Sequence, residues 1–251
     1  VWILDGLDAR PRKLEVSLPG STPAPFEADP TKNLETFAVD HGGDASLVGW
    51  RGNAFWLSHR EGPARAIAAD SGIRVRQPVL LGRTGTAIMA SDADGEVRDL
   101  TGSDEPRYLA GGQLGRVLHL AADPAGERVV VISHDGEIRL VTVSDATVRD
   151  LGRSTQGEAL SPSFSPDGRY LIWTQPTIGE AALHRLMILD TQDQGGEPQP
   201  LTAGRFHDHS PAFTADGKYV VFLSDRTFDP AYDTHEFALS FTGSTRPWLI
   251  P

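Results

Sequence analysis

Apolar residues in this chain come in short runs, each closed by a turn rich in glycine, proline or aspartate. Residues 161–174, SPSFSPDGRYLIWT, set the pattern. They predict a strand over 162–165, a tight turn at Asp167-Gly168 and a second strand over 170–173. Aspartate suits such a turn because it hydrogen-bonds its own backbone, and glycine because it tolerates positive φ. Tyr170, Leu171, Ile172 and Trp173 are apolar at consecutive positions, which predicts a strand buried on both faces. The unit recurs at residues 210–224, SPAFTADGKYVVFLS, with Asp216-Gly217 at the turn. A third copy, residues 119–133, has Pro124-Ala125-Gly126 in the turn and 129–132 as its buried run.

Around these copies the chain divides into units of four short strands. The first is predicted at 36–40, 47–50, 54–58 and 64–69, and the second at 77–81, 86–90, 96–100 and 107–110. The third continues into 137–143 and 147–151, the fourth into 183–189 and 198–202, and the fifth into 235–241 and 246–250. Taking Gly52, Gly85, Gly126, Gly168 and Gly217 as markers gives intervals of 33, 41, 42 and 49 residues. A period near forty with four strands per repeat predicts an all-β fold, a β-propeller of about five blades plus a partial one, with an incomplete ring. The blades fall at 34–70, 73–112, 113–155, 156–204 and 205–251. Residues 1–18 look like the terminal strands of a preceding blade. Residues 19–33, with Pro19, Pro23, Pro25 and Pro30, look like an extended linker.

Composition narrows the possibilities. No apolar run is long enough to span a membrane, and no leader pattern opens the chain. The lack of a starting Met points to a processed protein or a piece of a longer one. Cysteine is absent, so disulfides and thiolate metal sites are excluded. A formal net charge of −11 argues against a nucleic-acid surface, which needs a positive footprint.

The S-P-x-[FW]-[ST]-x-D-G-[KR]-Y unit resembles the propeller repeats of the periplasmic Tol-system protein, the prolyl oligopeptidases and the tricorn proteases. The C-terminal stretch is more specific. Ser224, Arg226, Phe228-Asp229-Pro230, Tyr232-Asp233, His235, Phe237 and Leu239-Ser240-Phe241 resemble the seven-bladed propeller of the tricorn-protease family. Gly115-Arg116-Val117-Leu118, His134-Asp135-Gly136 and Val148-Arg149-Asp150 agree with that family, and the resemblance covers essentially the whole chain. It implies a non-catalytic propeller section of a cytoplasmic serine peptidase that degrades peptides. The catalytic residues would lie outside this chain, the propeller channel would act as a gate or sieve for peptide substrates, and the parent would be a homo-oligomer. The alternatives are a protein-binding propeller similar to the Tol-system protein, or the lid of a prolyl-oligopeptidase-like enzyme.

The residues themselves offer little chemistry. No G-x-S-x-G is present, and Ser71 in Asp70-Ser71-Gly72 reads as an ordinary turn, so no catalytic residue is assigned. His207-Asp208-His209 places two imidazoles on one side of a strand-like segment. Two ligands are too few for a structural zinc site, so the segment reads as a surface loop with Asp208 capping a turn, and neither metal nor cofactor is assigned. Residues 225–235 read as a structural lock, with Asp225 pairing Arg226 and with Phe228 and Tyr232 over a blade end. Gly111-Gly112 and Gly115 sit between strands and open no helix, so they form no phosphate site. Trp2, Trp50, Trp56, Trp173 and Trp248 read as core packing. An incomplete ring leaves unpaired edges, which predicts self-association or imperfect closure.

Overall fold

A computed structural model describes residues 2–3, 10–13, 29–40, 42–68, 73–82, 86–91, 97–100, 107–177, 183–228, 231–233, 238–241 and 243–251. Ser71, Gly85, His235 and most of the 19–33 segment lie outside the described residues. The chain divides into two units, Val1–Lys32 and Asn33–Pro251. In the first, β1 (Trp2–Ile3) pairs antiparallel with β2 (Arg12–Lys13). Among the described residues no helix is long and apolar enough to cross a membrane.

The second unit is a succession of antiparallel sheets. Blade 1 holds β3 (Leu34–Val39), β4 (Ala45–Trp50), β5 (Asn53–Ser58) and β6 (Arg65–Ala68). Blade 2 holds β7 (Val75–Leu81), β8 (Thr86–Ser91), β9 (Val97–Leu100) and β10 (Arg107–Leu109). Blade 3 holds β11 (Val117–Ala122), β12 (Arg128–Ser133), β13 (Glu137–Thr142) and β14 (Val148–Arg153). Blade 4 holds β15 (Leu160–Phe164), β16 (Tyr170–Pro176), β17 (His184–Asp190) and β18 (Gln199–Pro200). In blade 5, β19 (Asp208–Phe213) pairs with β20 (Val220–Asp225), β21 (Ala231–Asp233) pairs with β22 (Ala238–Ser240), and β20 pairs with β23 (Thr245–Ile250). The first strands β3, β7, β11, β15 and β19 pack side by side in sequence, and the series is not closed into a ring.

The all-apolar runs are explained by blade stacking. Side chains alternate across a strand, so each second strand feeds two cores. Val129 and Val131 of β12 join Ile88 and Ala90 of β8, while Val130 and Ile132 join Leu171 and Trp173 of β16. In the same way Ala87 and Met89 of β8 turn toward Leu47 of β4 and Ala54 of β5. Each large side chain so buried contributes roughly 1.5–3 kcal/mol. Trp173 fits the packing expectation. Trp2 and Trp248, by contrast, are exposed.

Arginines fasten blade 2 to blade 3, and blade 3 to blade 4, through main-chain carbonyls. Arg76 of blade 2 donates to the Val117 carbonyl of blade 3 at 3.2 Å, and Arg107 to that of Ser144 at 3.0 Å. Arg149 of blade 3 donates to the Thr191 carbonyl of blade 4 at 3.0 Å. Arg128 donates to buried Asp123 at 3.0 Å within its own blade, and reaches the Gly168 carbonyl and Thr191 Oγ1 of blade 4, each at 2.7 Å.

The repeated turn has one geometry and two side-chain solutions. The amides of Gly43, Gly126, Gly168 and Gly217 donate to the carbonyls of Asp40, Asp123, Ser165 and Thr214, three residues earlier. All four glycines have φ between 69° and 73°. Gly52 instead closes the hairpin between β4 and β5, so Gly43 is the position in blade 1 that matches the other turns. Where the leading residue is aspartate, its own carboxylate accepts from the turn amides: Asp40 from Asp44 and Asp123 from Glu127, each at 2.8 Å. Where it is serine or threonine, the hydroxyl accepts from the amide five residues on. It then donates to an aspartate two residues on, Ser165 to Asp167 at 2.5 Å and Thr214 to Asp216 at 2.6 Å.

Two expectations are corrected. The strand expected over 162–165 begins earlier, as β15 (Leu160–Phe164), and is not regular: Ser161 and Ser210 have φ of 52°, and the ladder slips between Leu160 and Ser163 and between His209 and Ala212. These are β-bulges, where proline's missing N–H costs the ladder nothing. In blade 5 the third strand is β23, not 235–241: β22 within that stretch pairs with β21, in an excursion inserted between adjacent strands.

The Ser165 hydroxyl, then the Arg169 amide, hold the Asp167 carboxyl below the usual carboxylate range. The unfolded chain, at about 3.9, takes up its proton first as pH falls. This contribution is therefore complete above that value and is lost as pH falls through the folded one. Asp167→Asn is expected to lower the denaturation midpoint at pH 7, with the gap from the parent shrinking below about pH 4. A gap unchanged with pH contradicts this role.

Candidate functional site

A dense polar cluster lies where β19 begins and β20 ends. Register pairs Asp208 with Ser224, and the Asp225 amide donates to the His207 carbonyl at 3.2 Å. Alternation then separates two sets of side chains. Asp208, Ser224 and Arg226 form one group, and His207, His209 and Asp225 the other.

The first set is buried at Asp208 and Ser224, with Arg226 partly exposed. Asp208 is 1% exposed and Ser224 fully covered. Ser224 Oγ donates to Asp208 Oδ1 at 2.5 Å, Arg226 Nη2 donates to the same oxygen at 2.6 Å, and Arg226 Nε donates to Ser224 Oγ at 2.8 Å. The guanidinium lies 4.8 Å from the ring centres of Phe206 and Trp248, and 5.4 Å from that of Phe222. These aromatic neighbours, with Asp208, line a cleft of about 240 Å³. Asp208 is thus a buried strand residue and not a turn cap, and Arg226 pairs with it and not with Asp225. Phe228 does not cover a blade end; it is exposed and meets Phe241 edge-on at 6.3 Å.

The second set is half-exposed. His207 Nδ1 and Asp225 Oδ2 are 3.0 Å apart, and Thr245 Oγ1 donates to Asp225 Oδ1. The Thr245 hydroxyl, with His207 adding to it, holds the Asp225 carboxyl below its usual range. Burial, then His207 beside it, pushes the His209 imidazole down from its ordinary value. The His207 and His209 rings stack at 4.6 Å, and His184 meets His207 edge-on at the same distance. Sequence reasoning found the two histidines and missed Asp225 as their neighbour. The signal was available: a hairpin turn at Asp216-Gly217 folds 225 back beside 207.

Elsewhere Ser46 Oγ and His59 Nε2 are 2.5 Å apart, and His59 Nδ1 meets the Gly43 carbonyl at 2.6 Å. A nucleophile needs to meet substrate and its base needs an orienting acid. Ser46 is 1% exposed and the third partner is a carbonyl, so the pair is a strand fastening.

Four-stranded antiparallel sheets stacked face to face around their first strands define a β-propeller domain. Residues 34–251 match the tricorn protease second beta propeller domain, and the chain belongs to that family. It is 42% identical over 264 residues to tricorn protease homolog 1 of Streptomyces coelicolor, a match covering all of this chain and 24% of that one. It is 27% identical over 229 residues to the tricorn protease of Thermoplasma volcanium, covering 88% of this chain and 22% of that one. The crystal structure of the tricorn protease superposes with a TM-score of 0.75 at 23% identity, over 92% of this chain and 23% of that chain. The chain thus spans about a quarter of the length of these relatives.

Asp208 is buried while Arg226 is partly exposed, and removing the cation strands a buried carboxylate, at a cost of up to about 3–5 kcal/mol. Arg226→Ala is expected to destabilise the chain by that order in denaturant unfolding, and Arg226→Lys to recover part of it. A loss within about 0.5 kcal/mol, the range of ordinary surface substitutions, contradicts the lock.

Proposed function

We propose that this chain is a non-catalytic propeller section of a tricorn-like serine peptidase, and that its channel gates extended peptides toward catalytic residues elsewhere in the parent. The observation that carries the reading is the family match across all five blades. The burial of Ser46 supports it, since this serine–histidine pair, the tightest among the described residues, keeps its hydroxyl covered. The first strands supply the channel wall in this reading. Their bulges fall at Ser161 and Ser210, and both residues are exposed. A channel of this kind selects by width, admitting extended chains and rejecting folded ones. The parent acts in the cytoplasm as a homo-oligomer, and peptides are its partners.

The absence of cysteine gives this section a clean label site. In the full-length parent, Ser161→Cys carrying a bulky maleimide is expected to slow cleavage of long peptides more than of short chromogenic ones. The unsubstituted parent, treated alike, sets the baseline. Equal rates for both substrate lengths contradict the gate, and a parent with no peptidase activity contradicts the peptidase reading and favours a binding propeller.

A further inference from the structure

His207, His209 and Asp225 each offer one donor atom, and the three lie within 4.8 Å of one another on one side of the β19–β20 hairpin. The geometry points to a divalent transition-metal site of the zinc type here, with two imidazole nitrogens and one carboxylate oxygen as protein ligands.

Three features support it. The donors come from rigid elements: His209 and Asp225 lie on paired strands, and His207 immediately precedes β19 across from Asp225. Each outer donor also has a second partner that orients it. His209 Nδ1 meets Ser210 Oγ at 3.0 Å, which leaves Nε2 available to a metal, and Thr245 Oγ1 holds the Oδ1 oxygen of Asp225. Such outer contacts are the usual means of fixing ligand orientation. The donor chemistry is selective as well: imidazole with a single carboxylate suits zinc, cobalt, nickel or copper over magnesium or calcium, which prefer oxygen ligands.

Around a tetrahedral ion with bonds of about 2.0–2.1 Å, ligand atoms sit roughly 3.4 Å apart. The widest separation, 4.8 Å, therefore closes by more than an ångström when the ion enters. His207 and Asp225 are each about one-third exposed, so their side chains have room for that movement. Three protein ligands leave a fourth position facing solvent, open to water or to an incoming carboxylate. The site ties the lead-in to the first strand of blade 5 to the end of its second strand, where the inserted excursion departs.

The test is titration of the 251-residue chain with Co²⁺ alone, followed by visible absorption, with Zn²⁺ competition by calorimetry. One equivalent is expected to bind, with ligand-field bands of low-symmetry cobalt that Zn²⁺ abolishes. His209→Ala and Asp225→Asn are each expected to weaken binding by about tenfold or more, the scale on which even outer contacts act. His119→Ala, in a separate His119–Glu158 pair, is expected to leave it unchanged. Circular dichroism checks that each variant folds, and His209→Gln replaces any that does not. Absence of binding by the parent chain overturns the proposal, as does binding that survives both ligand substitutions or is lost with His119→Ala.

Discussion

Every interior blade depends on an apolar core that it shares with its neighbours and does not possess alone. A four-stranded sheet one layer thick has no inside, so its faces must be covered by other sheets. The second strands meet this constraint by being apolar on both faces. Val129 and Val131 serve one seam, Val130 and Ile132 the next, and a one-residue slip would exchange the two sets. The arginine contacts to neighbouring carbonyls add direction, because they run from blade 2 to 3 and from blade 3 to 4. The consequence appears at both ends of the series. Leu34, Phe37 and Val39 of β3, and Trp248 and Leu249 of β23, are all exposed, as expected of blades with one face uncovered.

Blade 5 departs from the repeat by inserting residues 226–244 between two adjacent strands. At the point of departure the hairpin uses its two faces differently. One carries the network of buried Asp208 and Ser224 with Arg226, which fixes where the excursion leaves the sheet. The other carries His207, His209 and Asp225, half-exposed and chemically versatile. The same alternation that divides apolar residues between two cores here divides structural from available polar groups.

The blades were legible in the sequence because their turns are chemically explicit and their second strands unusually apolar. What was not legible depended on pairing across the sheet. Residues 235–241 read as a third strand because they follow in sequence, whereas β23 takes that position after a longer detour. Arg226 was matched with its neighbour Asp225, but successive side chains on an extended segment point oppositely, and the true partner lies on the adjacent strand. Asp225 joined the histidines for the same reason, seen from the other face. The bulges are not legible in the sequence, because the left-handed φ at Ser161 and Ser210 emerges only from the ladder.

The central claim is that stability resides between blades, so protection should follow the number of covered faces. Native-state hydrogen exchange, resolved by strand, measures this directly. The slowest amides are expected in β12 and β16, whose blades are covered on both sides, with faster exchange in β4 and β20 of the end blades. Equal protection of all four strands would mean that each blade is stable by itself, and would contradict the account.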